Sequence, residues 1–498
     1  MKNILYKLGT KQFFDNEMID NINKELGVTN SYVIVGFEQE MELFSNSKCI
    51  LRDDAVLEKL DKYKFFGNEH EMLPIDDALL NQINPEMLEI IRTQQRFQEK
   101  EKFRTTGDLD RHYRVLMENL KFWNDLLEMG GITEVVFTDV PHEGYDSIIY
   151  HLCKIKNISI HIIYWSTLPN RCVIVEDYKE LGTKLAREYE KLKIKYKNAR
   201  EEEILLEDES NSHFEYMCAI NQKIENKEYE RKSSFADCFG DHFGIISFRQ
   251  RFEWSCRVKY GAERERHPKF HKILIKAIVA CKSIPELCSY TPAILYGKKM
   301  FKKSRELHNE YQKIAQLPKS ENYVFFAMHY VPEATSAPLG GGLYFDQYLP
   351  IAIISKAVPK DWKVYVKIHP TQSTNRFSWD DIEKIRRLKN TVLIDESVKT
   401  TDLIKNAKAV STLTGSVAWE SQFYNIPALC FGYSEKSAAP LSYFVRTIED
   451  CENAINDIIN NKKTTSKAEL KLFVKAMKNI SFEKSKKEIE KQMLLAKQ

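Results

Sequence analysis

The sequence lacks any apolar run close to the roughly 18–20 residues that a membrane-spanning helix needs. Its first residues, MKNILYKLGTKQFFDNE, also lack the long apolar core of a secretory signal. The ten cysteines form no C-x-x-C pair, and the closest two are Cys281 and Cys288. We therefore expect a cytoplasmic protein whose thiols are reduced and mostly buried.

The sequence also lacks a strong excess of charge, because 74 Lys and Arg residues face 71 Asp and Glu residues. This balance excludes the strongly basic footprint that is typical of nucleic-acid binding. Many lysines lie near the end, in KKTTSKAELKLFVKAMKNISFEKSKKEIEKQ (462–492). That stretch indicates either a solvated helix face or a peripheral contact with anionic lipid on the inner face of the cytoplasmic membrane.

Metal ligands in a recognisable pattern are missing as well. No Asp-x-Asp motif follows a strand, and RDD (52–54) and WDD (379–381) have the pattern of surface or helix-start acids. We expect no metal and no cofactor.

The first third of the chain alternates strand-like and helix-like segments. SYVIVGF (31–37) and KCILRD (48–53) are of strand length, and the helical pattern over 108–131 ends in a glycine pair. A strand that runs into a polar loop over 133–144, a helix and a strand over 158–165 follow. This rhythm predicts βαβ units and a parallel sheet within residues 1–180, the N-terminal acceptor-binding domain.

The rest of the chain predicts two further parts. Residues 181–318 are highly charged and helical in pattern, which indicates an insertion or bridge. From 322 the strand–helix rhythm returns, so residues 319–498 predict a second Rossmann-like domain, which would bind a nucleotide sugar and carry terminal helices. The predicted fold class is α/β of the GT-B arrangement: two Rossmann-like domains that face a cleft, with a helical insertion between them.

Polar clusters follow three predicted strands of the second domain, where ligands bind in open α/β sheets. They are HYVPEATSAPLGGG (329–342), with His329 and Glu333, then KIHPTQ (367–372), and TLTGSVAWE (412–420). In the third cluster a helix start with Gly415 favours phosphate binding, although an ordinary helix cap explains it too. In the second, the alternative to a phosphate site is a turn that closes a strand. We expect the second and third clusters on neighbouring strands.

Three segments of the second domain, FAMHYVPEATSAPLGGGLYFDQ, VYVKIHP and NTVLIDESVKTTDLIKNAKAVSTLTGSVAWESQFYNIPALCFG, resemble bacterial capsule polysaccharide biosynthesis proteins. The upstream VVFTDVPHEGYDSIIYHLCK resembles the N-terminal domain of that family, which includes GT-B transferases that use CMP-Kdo. The His-Pro pair with a later Ser/Thr loop is also similar to GT-B sialyltransferases. These resemblances imply a donor-nucleotide site formed by His369, Pro370, Thr414, Gly415 and Ser416. We also expect Glu420, one turn into the helix, to contact ribose hydroxyls, and Lys367 to meet the negative charge of the departing nucleotide.

The implied activity is the transfer of Kdo or another ulosonic acid from a CMP-sugar donor, without a metal ion. The implied acceptor is a glycan or lipid-linked glycan of a growing surface polysaccharide. The loop TDVPHEGYD (138–146) supplies candidate bases, and the resemblance marks His142 and Asp146 most strongly. The alternative for Asp146 is a helix cap. Glu333, on the opposite wall, is the other candidate catalytic carboxylate. The acidic-acidic-glycine motif of the sialyltransferases does not occur.

Three other functions fit the same motifs. A teichoic-acid-type polymerase would use CDP-glycerol, and a sugar-nucleotide epimerase on this fold would use a UDP donor. A non-catalytic scaffold of a polysaccharide assembly complex would bind no nucleotide, or would bind one without dependence on His369. Nucleotide preference therefore separates these functions.

Overall fold

Two separate sheets organise the computed structural model of this chain, one with seven strands and one with six. The structure describes residues 2–8, 14–35, 41–51, 73–87, 90–91, 109–225, 302, 306–331, 333–369 and 379–495. Within these ranges no helix combines the length and the apolar character needed to cross a bilayer.

The first sheet has the strand order β3-β2-β1-β4-β5-β6-β13. All neighbours pair in parallel except β6, which runs antiparallel to both β5 and β13. The strands are β1 (Asn3–Lys7), β2 (Asn30–Val35), β3 (Lys48–Leu51), β4 (Glu134–Phe137), β5 (Ser159–Trp165), β6 (Arg171–Val175) and β13 (Phe482–Glu483). Every residue of β1 is buried, as expected for a central parallel strand that is covered on both faces.

Helices cover this sheet on both sides. They include α1 (Asn16–Glu25), α2 (Asp77–Ile83), α3 (Leu109–Met129) and α4 (Tyr145–Lys156). One core lies under α3 and α4 and contains the fully buried Trp123, while a second core contains Met18 of α1. Asn157, in the left-handed region at φ 54°, ends α4, which is a position that asparagine tolerates well.

The second sheet is entirely parallel, with the strand order β12-β11-β10-β7-β8-β9. Its strands are β7 (Tyr323–Ala327), β8 (Lys363–Lys367), β9 (Thr391–Leu393), β10 (Ala409–Thr412), β11 (Ala428–Cys430) and β12 (Ser442–Phe444). This is the 3-2-1-4-5-6 order of a Rossmann sheet, whose direction of winding reverses between β7 and β10. The crevice beyond that pair is therefore where a ligand is expected.

The helices of the second half complete the architecture. They are α7 (Tyr348–Ala357), α8 (Trp379–Arg386), α9 (Thr400–Lys405), α10 (Val417–Glu420), α11 (Ile448–Ile459), α12 (Lys467–Ile480) and α13 (Lys486–Leu495). The end of the chain returns to the first half: β13 extends the first sheet, and α13 packs against α1. Helix α12 packs against α5 (Leu181–Lys195), which with α6 (Asp208–Glu225) begins the middle region.

Three lysines of the terminal lysine-rich stretch have intramolecular partners. Lys471 and Lys475 donate to the carbonyl oxygens of Glu201 and Leu205 at 3.4 and 2.8 Å, and Lys478 forms an ion pair with Glu207. These contacts hold α12 against residues 201–207. The proposed contact of this stretch with a membrane stays a prediction.

The predicted α/β class with two Rossmann-like sheets is confirmed, and α5 and α6 confirm the helical pattern as far as Glu225. Residues 226–301 of the predicted insertion, including Cys281 and Cys288, lie outside the described residues, and so does RDD at 52–54. WDD opens α8, as expected for helix-start acids. The predicted domain boundaries stay a prediction.

Candidate active site

A lysine at the end of β1 organises the polar groups of the first sheet. The Nζ atom of Lys7, whose side chain is 1% exposed, lies 2.7 Å from Asp139 Oδ1, 3.1 Å from Asp146 Oδ2 and 3.6 Å from Glu143 Oε2. These carboxylates follow β4, the strand beside β1 at which the order of this sheet reverses. Burial opposes the charge on Lys7, but the three acids hold its pKa well above the ordinary value.

Asp146 is the enclosed member of this group. It lies in the first turn of α4 with no exposed surface, and its Oδ1 atom accepts the Glu143 backbone N–H at 2.7 Å. Burial raises the pKa of Asp146, while Lys7 opposes the rise. The geometry therefore makes Asp146 an anchor for the loop between β4 and α4, with no surface of its own toward solvent.

His142 has a different environment in the same loop. Its Nδ1 atom lies 2.5 Å from the carbonyl oxygen of Val140, so in the neutral imidazole Nδ1 carries the proton and Nε2 the lone pair. The side chain is half-buried. His142 thus combines a proton-accepting atom with access to solvent. Asp139 and Glu143 also reach solvent, but their carboxylates pair with Lys7.

Among the described residues, one group of three potential metal ligands has its ligand atoms within 4.8 Å of one another. It consists of Asp139, His142 and Asp146. The ammonium of Lys7 already contacts both carboxylates. A divalent cation would have to displace a buried positive charge, so this arrangement favours an internal salt bridge over a metal site.

In the second sheet, His329 connects the two strands at the reversal point. It follows β7, and its Nε2 atom lies 2.8 Å from Thr412 Oγ1 and accepts the Thr414 backbone N–H at 3.1 Å. The side-chain amide of Gln347 holds the His329 backbone through both its oxygen and its nitrogen. Burial, followed by the nearby His369 and Lys436, lowers the pKa of His329 to about 3. His329 is therefore a neutral acceptor in this network.

The loop after β10 is packed too closely for a larger residue than glycine at position 415. A Cβ atom there would come 2.7 Å from Thr412 Oγ1 and 3.4 Å from His329 Nε2. The Gly415 N–H donates to Thr412 Oγ1 at 3.2 Å, and the Thr414 hydroxyl donates to the Thr335 carbonyl oxygen at 3.1 Å. Ser416 alone in this loop presents an exposed side chain.

The predicted phosphate-binding helix is shorter than its sequence pattern suggests. Helix α10 spans four residues and continues as a 3₁₀ turn, Ser421–Tyr424, and Ser416 makes no side-chain cap hydrogen bond. Such a short helix contributes little of the dipole on which phosphate binding at helix starts depends. The N–H groups of Thr414 and Gly415 already have partners, so these two are not available to an anion.

His369 follows β8 on the other side of β7. Its ring centroid lies 6.1 Å from that of Tyr330, and it is one of the groups that lower the pKa of His329. The expectation that the KIHPTQ and TLTGSVAWE clusters lie on neighbouring strands is wrong, because β7 lies between β8 and β10. His329 fills that intermediate position. Pro370 lies outside the described residues.

The remaining predicted residues surround this group less directly. Lys367 donates from Nζ to the Val398 carbonyl oxygen at 2.5 Å, which turns it toward the loop after β9. Glu333 begins a turn in which its backbone N–H donates to Ser336 Oγ at 3.0 Å, near the Thr335 carbonyl that binds Thr414. Glu420 is half-buried at the end of α10. Their roles at a donor stay predictions.

The half of the molecule that contains the first sheet contacts the half that contains the second sheet beside this site. The Glu435 carboxylate, from the turn after β11, accepts the Thr167 N–H at 2.6 Å and the Ser166 hydroxyl at 3.0 and 3.1 Å. Ser166 and Thr167 follow β5 of the first sheet. Glu435 has no exposed surface, so this contact is a buried link between the halves.

Lys7 and His329 are important members of these clusters to which the sequence analysis assigned no role. Each lies at or just after the end of a buried strand, NILYK and YVFFA, in the same position that drew attention to His369. A basic side chain at the end of a short apolar run was therefore the signal that could have identified both.

No protein-family model matches the sequence, and a search of curated proteins finds no relative. Among solved structures, a UDP-GlcNAc 2-epimerase from Methanocaldococcus jannaschii is similar at 12% identity and TM-score 0.25, over 94% of this chain and 95% of that one. KpsC of Thermosulfurimonas dismutans, a beta Kdo 2,4 transferase, is similar at 11% identity and TM-score 0.30, over 70% and 79%. A glycosyltransferase from Rickettsia africae shows 11% identity and TM-score 0.24, over 99% and 98%. Similarity this low carries no argument about activity.

Proposed function

We propose that the chain is a glycosyltransferase that moves Kdo or another ulosonic acid from a CMP-activated donor to a growing surface polysaccharide. The observation that carries this proposal is the gathering of His329, His369 and the loop Thr414–Ser416 where the order of the second sheet reverses. Ligands of open α/β sheets bind at such a point. The motifs at this site are also those that resemble CMP-dependent transferases.

The donor would lie with its phosphate toward His369 and the Ser416 hydroxyl. His329 has a different role, because its Nε2 lone pair is already directed to Thr412 and Thr414. It holds the loop at a fixed distance from β7. Fixed donors that need no rearrangement during the reaction are usually the main source of transition-state stabilisation.

In the reaction the acceptor hydroxyl oxygen bonds to the anomeric carbon, while the bond from that carbon to the phosphate oxygen breaks. The electron pair of the broken bond stays on CMP, whose developing negative charge the second-sheet site stabilises. The hydroxyl proton passes to a general base, which contributes about 100- to 10,000-fold in rate.

We assign the base to His142 and a positioning role to Asp146. The Nε2 atom of His142 carries a lone pair and its side chain reaches solvent, whereas Asp146 is enclosed and paired with Lys7. His142→Gln should therefore lower turnover about 100-fold or more while CMP affinity stays unchanged. Asp146→Asn should lower turnover through a displaced loop. Full activity of His142→Gln combined with an inactive Glu333→Gln would place the base on the opposite wall.

The donor class is tested by thermal unfolding with CMP, CDP-glycerol, UMP and UDP, without divalent metal. CMP at about a hundredfold excess over its dissociation constant should stabilise the protein by about 2.7 kcal/mol. His369→Ala should abolish this shift and lower turnover with CMP-Kdo about 100-fold. The matched control is His308→Ala, since His308 is a histidine of the same half that pairs with Glu396.

Each of the other functions has its own outcome in this experiment. Preferential stabilisation by UDP would replace the proposal with a UDP-sugar enzyme, and preference for CDP-glycerol would indicate a polymerase of the teichoic-acid type. A protein that none of these nucleotides stabilises would fit the scaffold function.

A further inference from the structure

Lys436 lies in a turn that the second sheet brings to the proposed phosphate site. The turn Glu435–Ala438 follows β11, the neighbour of β10. The chain between β11 and this turn runs beside the loop after β10. The Phe431 N–H donates to the Thr412 backbone carbonyl oxygen and the Gly432 N–H to the Leu413 backbone carbonyl oxygen, each at 3.0 Å. The turn then packs against α10, directly after Ser416.

Contacts from two sides hold this turn in place. The carboxylate of Glu435 is bound by Ser166 and Thr167 from the first half of the molecule. The hydroxyl of Ser442, in β12, donates to the Lys436 carbonyl oxygen at 2.8 Å. The backbone of Lys436 is thus fixed where the two halves meet, and only its side chain is left to adapt.

The ammonium of Lys436 forms no hydrogen bond and no ion pair with any residue that the structure describes, although the side chain is only half-exposed. Burial lowers the pKa of Lys436, while Glu435, Cys430 and Glu420 oppose that effect. An unmatched positive charge in a crowded place is costly unless an anion joins it. Lys436 is also one of the groups that lower the pKa of His329, so it lies within electrostatic range of the histidine cluster.

Lys367, the lysine that the sequence analysis chose, provides the contrast. Its Nζ atom is bound to the Val398 carbonyl oxygen, and Glu396 and Asp395 act on its charge. Lys367 therefore already has the partners that Lys436 lacks among the described residues.

We propose that Lys436 is the cation that binds the phosphate of the nucleotide donor, together with His369 and Ser416. This inference rests on the proposed function and specifies which side chain neutralises the leaving phosphate. It also links donor binding to the contact between the two halves, since Lys436 follows directly on Glu435.

The test measures CMP and cytidine binding by isothermal titration calorimetry for the wild type, Lys436→Met and the matched control Lys363→Met. Lys363 is a half-buried lysine of the same half, and it lies at the opposite end of β8 from the proposed phosphate site. Loss of one charge-assisted hydrogen bond should weaken CMP binding about 10- to 100-fold in Lys436→Met. The CMP affinity of Lys363→Met should stay within about twofold of the wild type, and cytidine, which has no phosphate, should bind all three proteins alike. The CMP affinity of Lys436→Met should also depend less on salt concentration than that of the wild type.

The outcomes separate this inference from the proposed function. CMP binding by Lys436→Met equal to that of the wild type would overturn the inference alone, and equal losses of CMP and cytidine affinity would show that Lys436 only supports the fold. A wild type that binds neither CMP nor another nucleotide would overturn the proposed function and the inference together. If Lys436→Met does not fold, Lys436→Arg and Lys436→Gln replace it, and only the arginine variant should keep CMP affinity.

Discussion

Replacing Lys7 with methionine would test whether the buried cation of the first sheet stabilises the fold by neutralising Asp146. Methionine keeps most of the side-chain volume but removes the charge, which leaves the enclosed Asp146 carboxylate without its ion pair at 3.1 Å. Breaking a buried ion pair from one side costs about 3–5 kcal/mol. For a domain of this size each kcal/mol corresponds to about 2–4 °C, so the first half should unfold roughly 6–20 °C lower.

The pH dependence of this loss has a definite sign. Burial already raises the pKa of Asp146, and removal of Lys7 raises it further. A carboxyl group whose folded pKa exceeds its unfolded value binds more protons in the native state, so stability falls as pH rises between the two values. The stability deficit of Lys7→Met relative to the wild type should therefore be largest near pH 8 and shrink toward pH 5.

Differential scanning calorimetry of the full chain at several pH values would measure these differences. Lys154→Met is the matched control, because Lys154 forms a 3.0 Å ion pair with Asp177 but its side chain is 49% exposed. Exposed pairs contribute about 0–1 kcal/mol. The double variant Lys7→Met with Asp146→Asn should recover part of the lost stability. A Lys7→Met protein as stable as Lys154→Met, or a deficit independent of pH, would refute this account of the cluster.

Three further predictions concern other buried contacts. Glu435→Ala should cost about 1.5–3 kcal/mol and separate the unfolding transitions of the two halves in calorimetry, because the Thr167 N–H loses its charged acceptor; a single unchanged transition would contradict this. Gly415→Ala should weaken CMP binding in calorimetric titration, since the alanine Cβ would come 2.7 Å from Thr412 Oγ1. Unchanged CMP affinity would show that the loop adapts to the alanine. Burial lowers the pKa of His151 to about 3, below its unfolded value. The unfolded state therefore binds more protons, and stability decreases as the pH is lowered below about 6.5. In urea unfolding, His151→Gln should reduce the slope of the unfolding free energy against pH by about 1.4 kcal/mol per pH unit. An equal slope in the variant and the wild type would exclude His151 as the source of this pH dependence.

Segments with a strong local pattern were predicted well from the sequence. The helix Tyr145–Lys156 and the strands Lys363–Lys367 and Ala409–Thr412 lie where hydrophobic spacing and flanking turn residues indicate them. Local pattern determines the type of such an element because it decides which residues can be buried. The central strand Asn3–Lys7 was missed, since a five-residue run in a longer mixed segment has little pattern of its own.

Sequence was less informative where geometry depends on distant parts of the chain. The placement of His329 between the other two clusters follows from strand order, which a count of strands and helices along the chain does not determine. The link from Glu435 to Ser166 joins residues 269 positions apart and has no local signal. The short α10 is likewise a tertiary effect, because its sequence continues in a helical pattern that the structure resolves as a 3₁₀ turn.

The two clusters differ in charge, and that difference favours distinct roles for the two sheets. Around Lys7 three carboxylates face one ammonium, so the first site carries an excess of negative charge and would repel a phosphate. The second site, beside His369, contains a neutral His329 and Lys436, whose ammonium forms no ion pair with a described residue. Glu435 and Glu420 act on Lys436, but the Glu435 carboxylate already binds Ser166 and Thr167. An acceptor hydroxyl is uncharged and needs a proton acceptor, whereas the donor brings a negative phosphate. This difference in charge is a second reason, besides the resemblance in sequence, to propose the acceptor at the first sheet and the nucleotide at the second.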